Sequence, residues 1–346
     1  MTKEADITTV LASSKWAEEI PFVGINPLSD DIINSKEPIV LRGIVKHWPV
    51  VDAAQQSVSA LYEYLSNFDH GAIVPVTVGA STLKGRIFYN DTFNGSNADH
   101  GNARLSEVLR RIATGADNDD APLIYLASVT VDDVLPGFRD QNDIPFADAK
   151  PLASVWIGSR ARIAAHNDLP LNLACVAAGR RRFTLFPPDQ TSNLYVGPFE
   201  VTPAGRPISL VDFAAPDLAR FPRFAEAMKH ALVADLGPGD GLFIPSMWWH
   251  HVESLSGFNI LVNYWWRTVP TFLGTPQDVL NHAMMTIRDL PPTEREIWRD
   301  IFNHYVFEAN EETAAHVPEH AKGILGTIDA ETARRTRSYL LNRLNR

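Results

Sequence analysis

Between residues 153 and 267 the chain is a succession of short apolar runs, each ended by glycine, proline or a polar turn. The spacing predicts strands over 153–158, 161–166, 171–177, 181–186, 233–236, 241–244 and 257–266. Strands so short, so many and so closely spaced bury their apolar faces only by facing one another, in a sandwich or a barrel. Turns such as GPGDG (237–241) let the chain reverse between them. One helix, PDLARFPRFAEAMKHA at about 216–231, is predicted to interrupt the series.

The flanks differ. Residues 1–36 read as short helical pieces and loops. A β-branched run at Ile39–Leu41 predicts a strand, and residues 51–69 a helix with Leu61, Tyr64 and Leu65 on one face. Further strands are expected at 74–78, 85–91 and 123–129, and a helix at 106–113. The stretch from Asp91 to Ala103, rich in Asn, Asp and Gly, predicts an exposed loop. After Arg267 the pattern turns helical. Thr275-Pro276 reads as cap and first turn of a helix through Arg288. Thr293 with Glu296 reads as a capping box for a helix to about Phe307, and a last helix covers about 328–345. The expected fold is mostly β with flanking helices: a double-stranded β-helix, or jelly-roll barrel, with a C-terminal helical extension. Its expected divisions are N-terminal α/β elements (1–120), the barrel (121–267) and the helical region (268–346).

A formal net charge of −10 argues against a general nucleic-acid binder, which needs a basic face. No apolar segment approaches the ~20 residues that span a bilayer. The single cysteine, Cys175, cannot form an internal disulfide, which fits a reducing cytoplasm.

The sharpest local feature is AAHNDLPLN (164–172). On a strand, His166 and Asp168 leave the same face, supplying an imidazole and a carboxylate to one metal. A second histidine would complete a facial triad suited to Fe(II) with open positions. With 11 histidines in the chain, about one His-x-Asp arises by chance, so the pair alone is a weak signal. GPGDGLFIPSMWWHHVES (237–254) offers His250 and His251, which point oppositely on an extended chain. Periodicity does not choose between them, and His251 with Glu253 is a rival pair. GRRRFTLFPP (179–188) places Arg181 on one face with Phe183 and Leu185, and Arg180 and Arg182 on the other. An inward arginine fork suits a carboxylate, while three solvated arginines on an edge is the plain alternative.

These residues together resemble the Jumonji-C oxygenases, most closely the asparaginyl hydroxylase branch that includes the factor inhibiting hypoxia-inducible factor. The similar runs are AHNDLPLNLACVAAGRRRFTLFPPDQTSNLY (165–195), GPGDGLFIPSMWWHHVES (237–254) and ILVNYWW (260–266), with EPIVLRGIVKHWPV (37–50) and IYLAS (124–128) upstream. The resemblance implies His166, Asp168 and His250 as ligands of Fe(II), with His251 turned away. It implies Tyr125, Asn172, Asn263 and Trp265 around 2-oxoglutarate, and Arg181 where that branch carries a lysine. Ile163 stands where the branch has a threonine hydroxyl. The activity implied is a 2-oxoglutarate-dependent dioxygenase that uses O₂ and 2-oxoglutarate to hydroxylate a protein side chain or a small molecule. A cupin-like isomerase or a non-enzymatic binding module on the same barrel is the alternative. The C-terminal helices, with Ile297, Ile301, Phe302, Tyr305, Tyr339, Leu340 and Leu344, are expected to form a two-fold homodimer as in that branch, with packing on their own barrel as the plain alternative.

Overall fold

A computed structural model describes residues 15–21, 29–146, 150–203 and 205–345. Among the described residues fifteen strands run in chain order: β1 Lys15–Trp16, β2 Glu18–Pro21, β3 Ile39–Arg42, β4 Ile73–Gly79, β5 Arg86–Ile87, β6 Asp99–Arg104, β7 Leu123–Thr130 and β8 Leu152–Gly158, then β9 Arg162–Asn167, β10 Leu171–Ala178, β11 Arg181–Phe186, β12 Leu232–Leu236, β13 Gly241–Ile244, β14 Trp249–Ser254 and β15 Asn259–Trp266. They make a sheet of six, ordered β1-β12-β11-β14-β9-β5, and a sheet of nine, ordered β2-β3-β13-β10-β15-β8-β7-β4-β6. From β8 to β15 the chain repeatedly changes sheet, so β8, β10, β13 and β15 face β9, β11, β12 and β14. That is the jelly-roll expected from the sequence.

Three apolar layers hold it. Between the sheets lie Val176, Phe183, Leu185, Leu236, Leu242, Val252 and Leu261. Outside the larger sheet, Leu173, Cys175, Val155 and Val262 pack against Trp48, Val50, Leu61, Leu65 and Leu109. Strands β10 and β15 are thus covered on both faces, which is why LNLACVAA and NILVNYWW are nearly continuous apolar runs. Outside the smaller sheet, Phe186 and Trp249 pack on Phe213, Phe221 and Phe224.

Several local expectations are corrected. The segment from Asp91 to Ala103 is not all loop: Asp99–Arg104 is an edge strand paired antiparallel with β4. Its low strand propensity is overridden by that pairing. Only Phe224–Lys229 of the 216–231 segment is α-helical. Pro222 has no N–H for an interior turn, which is one reason the helix starts after it. The 51–69 helix is two, Pro49–Gln56 and Val58–Ser66, broken at Ser57, whose hydroxyl caps the second through Ala60 N–H. The 85–91 strand shortens to Arg86–Ile87. The helix expected to run to Phe307 is α only over Pro292–Phe302, and its N-cap is Pro291, without a side-chain cap, in place of the Thr293–Glu296 box. Much of the 1–36 reading lies outside the described residues, and Lys15–Trp16 and Glu18–Pro21 within it are strands.

The chain divides into two compact units, Met1–Trp266 and Arg267–Arg346. The second is helical over Pro276–Thr286, Pro292–Phe302 and Ala330–Leu344, with Thr275 and Asp329 capping the first and last. Among the described residues no helix is long and apolar enough to cross a membrane.

Candidate active site

His166 lies near the end of β9, Asp168 in the turn just past it, and His250 near the start of β14. The antiparallel register sets His250 directly across from His166, and a bulge follows between His250 and Val252. One ligating atom from each of His166, Asp168 and His250 lies within 4.8 Å of the others. The two imidazole rings are 4.3 Å apart between centroids. Each has its Nδ1 within 2.9–3.0 Å of a backbone oxygen two residues earlier, Ala164 for His166 and Trp248 for His250. Those carbonyls accept from Nδ1–H, which leaves both Nε2 atoms as lone-pair donors, the usual arrangement of a metal-binding histidine. His250 Nε2 stands 3.7 Å from Asp168 Oδ2. Burial, and then the neighbouring His166, push the His250 pKa down to about 4, so the ring is neutral at physiological pH. Two imidazoles and a carboxylate on one face fit a divalent cation with N/O preference.

His251 is on the opposite face. It pairs across the strands with the outward-facing Thr184 and stacks on Phe213, with ring centroids 4.5 Å apart and planes 20° apart. Burial and the nearby Arg162 hold its pKa down to about 3. Glu253 lies toward Arg162 and Arg182, away from the three-residue cluster.

The cavity beside the cluster is lined by Tyr125, Trp156, Ile163, Asn172, Arg181, Phe183, Val252, Leu261, Asn263 and Trp265 as well as the three. Every residue expected to surround 2-oxoglutarate is among them. Strand alternation brings this about. Asn172, Trp265 and Leu152 form one row across β10, β15 and β8, and Ala174, Asn263 and Ser154 the next. Asn263 donates its side-chain N–H to Asn172 Oδ1 at 2.6 Å. Deeper, Tyr125 on β7 lies opposite Gly158. A Cβ on Gly158 would come 2.8 Å from the Tyr125 ring, so the glycine makes room for the tyrosine.

Arg181 lies across from Ser254 on β14, four residues beyond His250. Four strand residues span about 13 Å, so a side chain reaching back leaves space for a small dicarboxylate. Arg181 is 1 % exposed, and its Nε and Nη2 have no hydrogen-bond partner among the described residues. Burial disfavours its charge, and the Tyr125 hydroxyl alongside favours it. The Tyr125 hydroxyl in turn is pushed up to about 12 by burial and stays protonated. Trp156 Nε1, Trp265 Nε1 and Asn263 Oδ1 are also buried without partners. Unmet polar groups and an unpaired buried guanidinium are costly. The guanidinium and the two indole N–H groups give this cavity a donor set that fits a polar, anionic ligand.

Sequence reading missed Trp156 and Arg206. Trp156 shares a face with Ser154, which alternation shows, but that this face is the one lining the cavity comes from the pairing of β8 with β15. Arg206, whose Nε is 3.9 Å from Asp168 Oδ1, comes from an irregular segment with no periodic signal.

The sequence profile of the cupin-like domain family matches residues 26–272. The chain belongs to the cupin-like domain family. Human HSPB1-associated protein 1 is 29% identical over 310 residues, 82% of this chain and 59% of its own length. Lysine-specific demethylase JMJ31 of Arabidopsis thaliana is 32% identical over 186 residues, 51% of this chain and 32% of its own. Lysine-specific demethylase 8 of Danio rerio is 26% identical over 265 residues, 74% of this chain and 60% of its own. The chain thus spans less than two thirds of each of these relatives. The matched cupin-like region contains the whole of the cavity described above, and the Jumonji-C resemblance read from the sequence agrees with it.

Proposed function

We propose that the protein is an Fe(II)- and 2-oxoglutarate-dependent oxygenase that couples decarboxylation of 2-oxoglutarate to hydroxylation of a second substrate. The observation that carries this is the free edge of Arg181. The Nε–Nη2 edge of a guanidinium binds a carboxylate side-on through two parallel hydrogen bonds. Arg182, the next residue, uses that edge on Asp235, with both contacts at 2.7 Å. The corresponding edge of Arg181 is buried, unpartnered and in the cavity beside His166, Asp168 and His250. A cupin-like isomerase or a plain binding module is the alternative, and turnover of 2-oxoglutarate separates it from an oxygenase.

His166 and His250 would hold the iron through Nε2 and Asp168 through a carboxylate oxygen. Bound iron supplies the activation of O₂ that the side chains cannot perform. The protein supplies position and dryness. Arg181 with Tyr125 holds the distal carboxylate of 2-oxoglutarate, Asn172 and Asn263 orient the end nearest the cluster, and Trp265 closes the wall. The side chains of Phe183, Val252 and Leu261 exclude water from the rest of the cavity.

For the second substrate, a protein side chain is our reading, methylated lysine included, because two relatives are named lysine-specific demethylases; small molecules are the other class. The helical unit exposes Ile297, Tyr305, Val306, Phe307, Tyr339, Leu340 and Leu341. An apolar helical surface of this kind supports a two-fold homodimer. A buried lone thiol, Cys175, suits the cytoplasm.

Anaerobic titration of the protein with Fe(II) and then 2-oxoglutarate tests the central reading. The expected result is a visible metal-to-ligand charge-transfer band that saturates at one equivalent, and succinate on admitting O₂. Absence of both overturns it.

A further inference from the structure

Resting on the co-substrate assignment above, we propose that Trp156 donates its indole N–H to the distal carboxylate of 2-oxoglutarate, beside Arg181 and Tyr125. A carboxylate has about four acceptor sites, and a side-on guanidinium fills two of them. In a cavity closed to water the remaining lone pairs need donors from the walls. Ile163, which faces the same space from β9, offers none. Trp156 Nε1 is a donor and nothing else, it is buried, and no acceptor among the described residues meets it.

The strand register puts this donor at the right depth. Trp156 sits in the row of Leu261 and Val176, two inward rows past the row of Asn172, Trp265 and Leu152. The next row holds Gly158, opposite Tyr125. On the facing sheet Arg181 is likewise four residues past the one opposite His250. The Trp156 ring lies 6.0 Å from the Tyr125 ring and meets Trp265 edge-on, also at 6.0 Å. Trp265, the other indole whose N–H is buried without a partner among the described residues, therefore belongs to the end near His166 and His250, and Trp156 to the far end. The two indoles divide the ligand between them.

The test is calorimetric binding of two keto acids to Mn(II)-loaded protein, which reads affinity without turnover. 2-Oxoglutarate carries the distal carboxylate and 2-oxopentanoate does not. Trp156→Phe keeps most of the ring and removes the N–H. It is expected to weaken 2-oxoglutarate about tenfold, a ~1.4 kcal/mol loss, with 2-oxopentanoate and Mn(II) affinity unchanged. Adding Ile163→Thr to Trp156→Phe is expected to recover most of the loss, since a hydroxyl then reaches the same carboxylate. Equal weakening of both keto acids, or no weakening, overturns the assignment, because the ring then acts only by packing. In the unmutated, Zn(II)-loaded protein, the ¹⁵N-indole proton signal of Trp156 is expected to move downfield with 2-oxoglutarate and not with 2-oxopentanoate; an identical response to both overturns it without recourse to a variant. Failure of the unmutated protein to bind 2-oxoglutarate overturns the functional reading itself, and this assignment with it.

Discussion

His250 and His251, adjacent on one strand, face opposite sides of the smaller sheet: one has its Nε2 3.7 Å from Asp168, and the other lies flat on Phe213. The pair separates chemistry from packing at neighbouring positions. Alanine at His166, Asp168 or His250 should lower Fe(II) affinity at least about 100-fold, since losing a ligand costs more than the 10–100-fold of losing its support. His251→Ala should keep the metal and lose about 1–3 kcal/mol of stability with the stacked contact. Metal titration and thermal melts of the four variants check this. Iron retained by His250→Ala and lost by His251→Ala would reverse the assignment.

Arg181→Met removes the buried charge and keeps much of the stem. A charge-assisted contact of this type is worth about 1.5–3 kcal/mol, so 2-oxoglutarate should bind at least roughly tenfold more weakly. Iron binding should survive. Arg180 is exposed and Arg182 is engaged with Asp235, so Met at either should leave 2-oxoglutarate affinity near wild type. Loss of the Arg182–Asp235 pair, which is partly exposed, should cost at most about 1 kcal/mol of stability. Equal loss of affinity in all three would point to general charge or folding.

Gly158→Ala places a methyl against the Tyr125 ring and the Ile124 carbonyl, each 2.8 Å from the new Cβ. The tyrosine must shift, so 2-oxoglutarate affinity should fall while Fe(II) affinity stays. A co-substrate Kd equal to wild type would remove Tyr125 from the site.

Glu253 has its pKa raised, by burial first, against the pull of Arg182 and Arg162. A raised carboxyl means that the folded state holds its proton more tightly than the unfolded one. Its contribution to stability is therefore full below the unfolded pKa and is lost as pH rises through the folded value. At neutral pH the ionised group is the unfavourable form. Glu253→Gln should melt above wild type at pH 7.5, and the difference should shrink by pH 4. A variant less stable than wild type at pH 7.5 contradicts this.

Truncation after Pro270 removes most of the unit Arg267–Arg346 and its exposed apolar residues. Light scattering should find a dimer for the full chain at tens of micromolar and a monomer for the truncated one. A monomeric full chain at that concentration ends the homodimer proposal.

Local periodicity determined a good deal by itself. A period of two in GRRRFTLF set Arg181 on one face with Phe183 and Leu185 and its neighbours on the other, and the density of short strands left a barrel or sandwich as the way to bury them. The same periodicity made His250 and His251 opposite without saying which was inward, because that depends on the strand across from them. Only tertiary structure decided it, through the register of β14 with β9, which sets His250 against His166 from more than eighty residues away. The strand at Asp99–Arg104 also came from pairing alone, since its residues have no strand preference of their own. Tertiary structure likewise decided the unpartnered indole N–H of Trp156 and the approach of Arg206 to Asp168. A hydrogen bond that is missing can be seen only once every neighbour is in position, and no local rule supplies those neighbours.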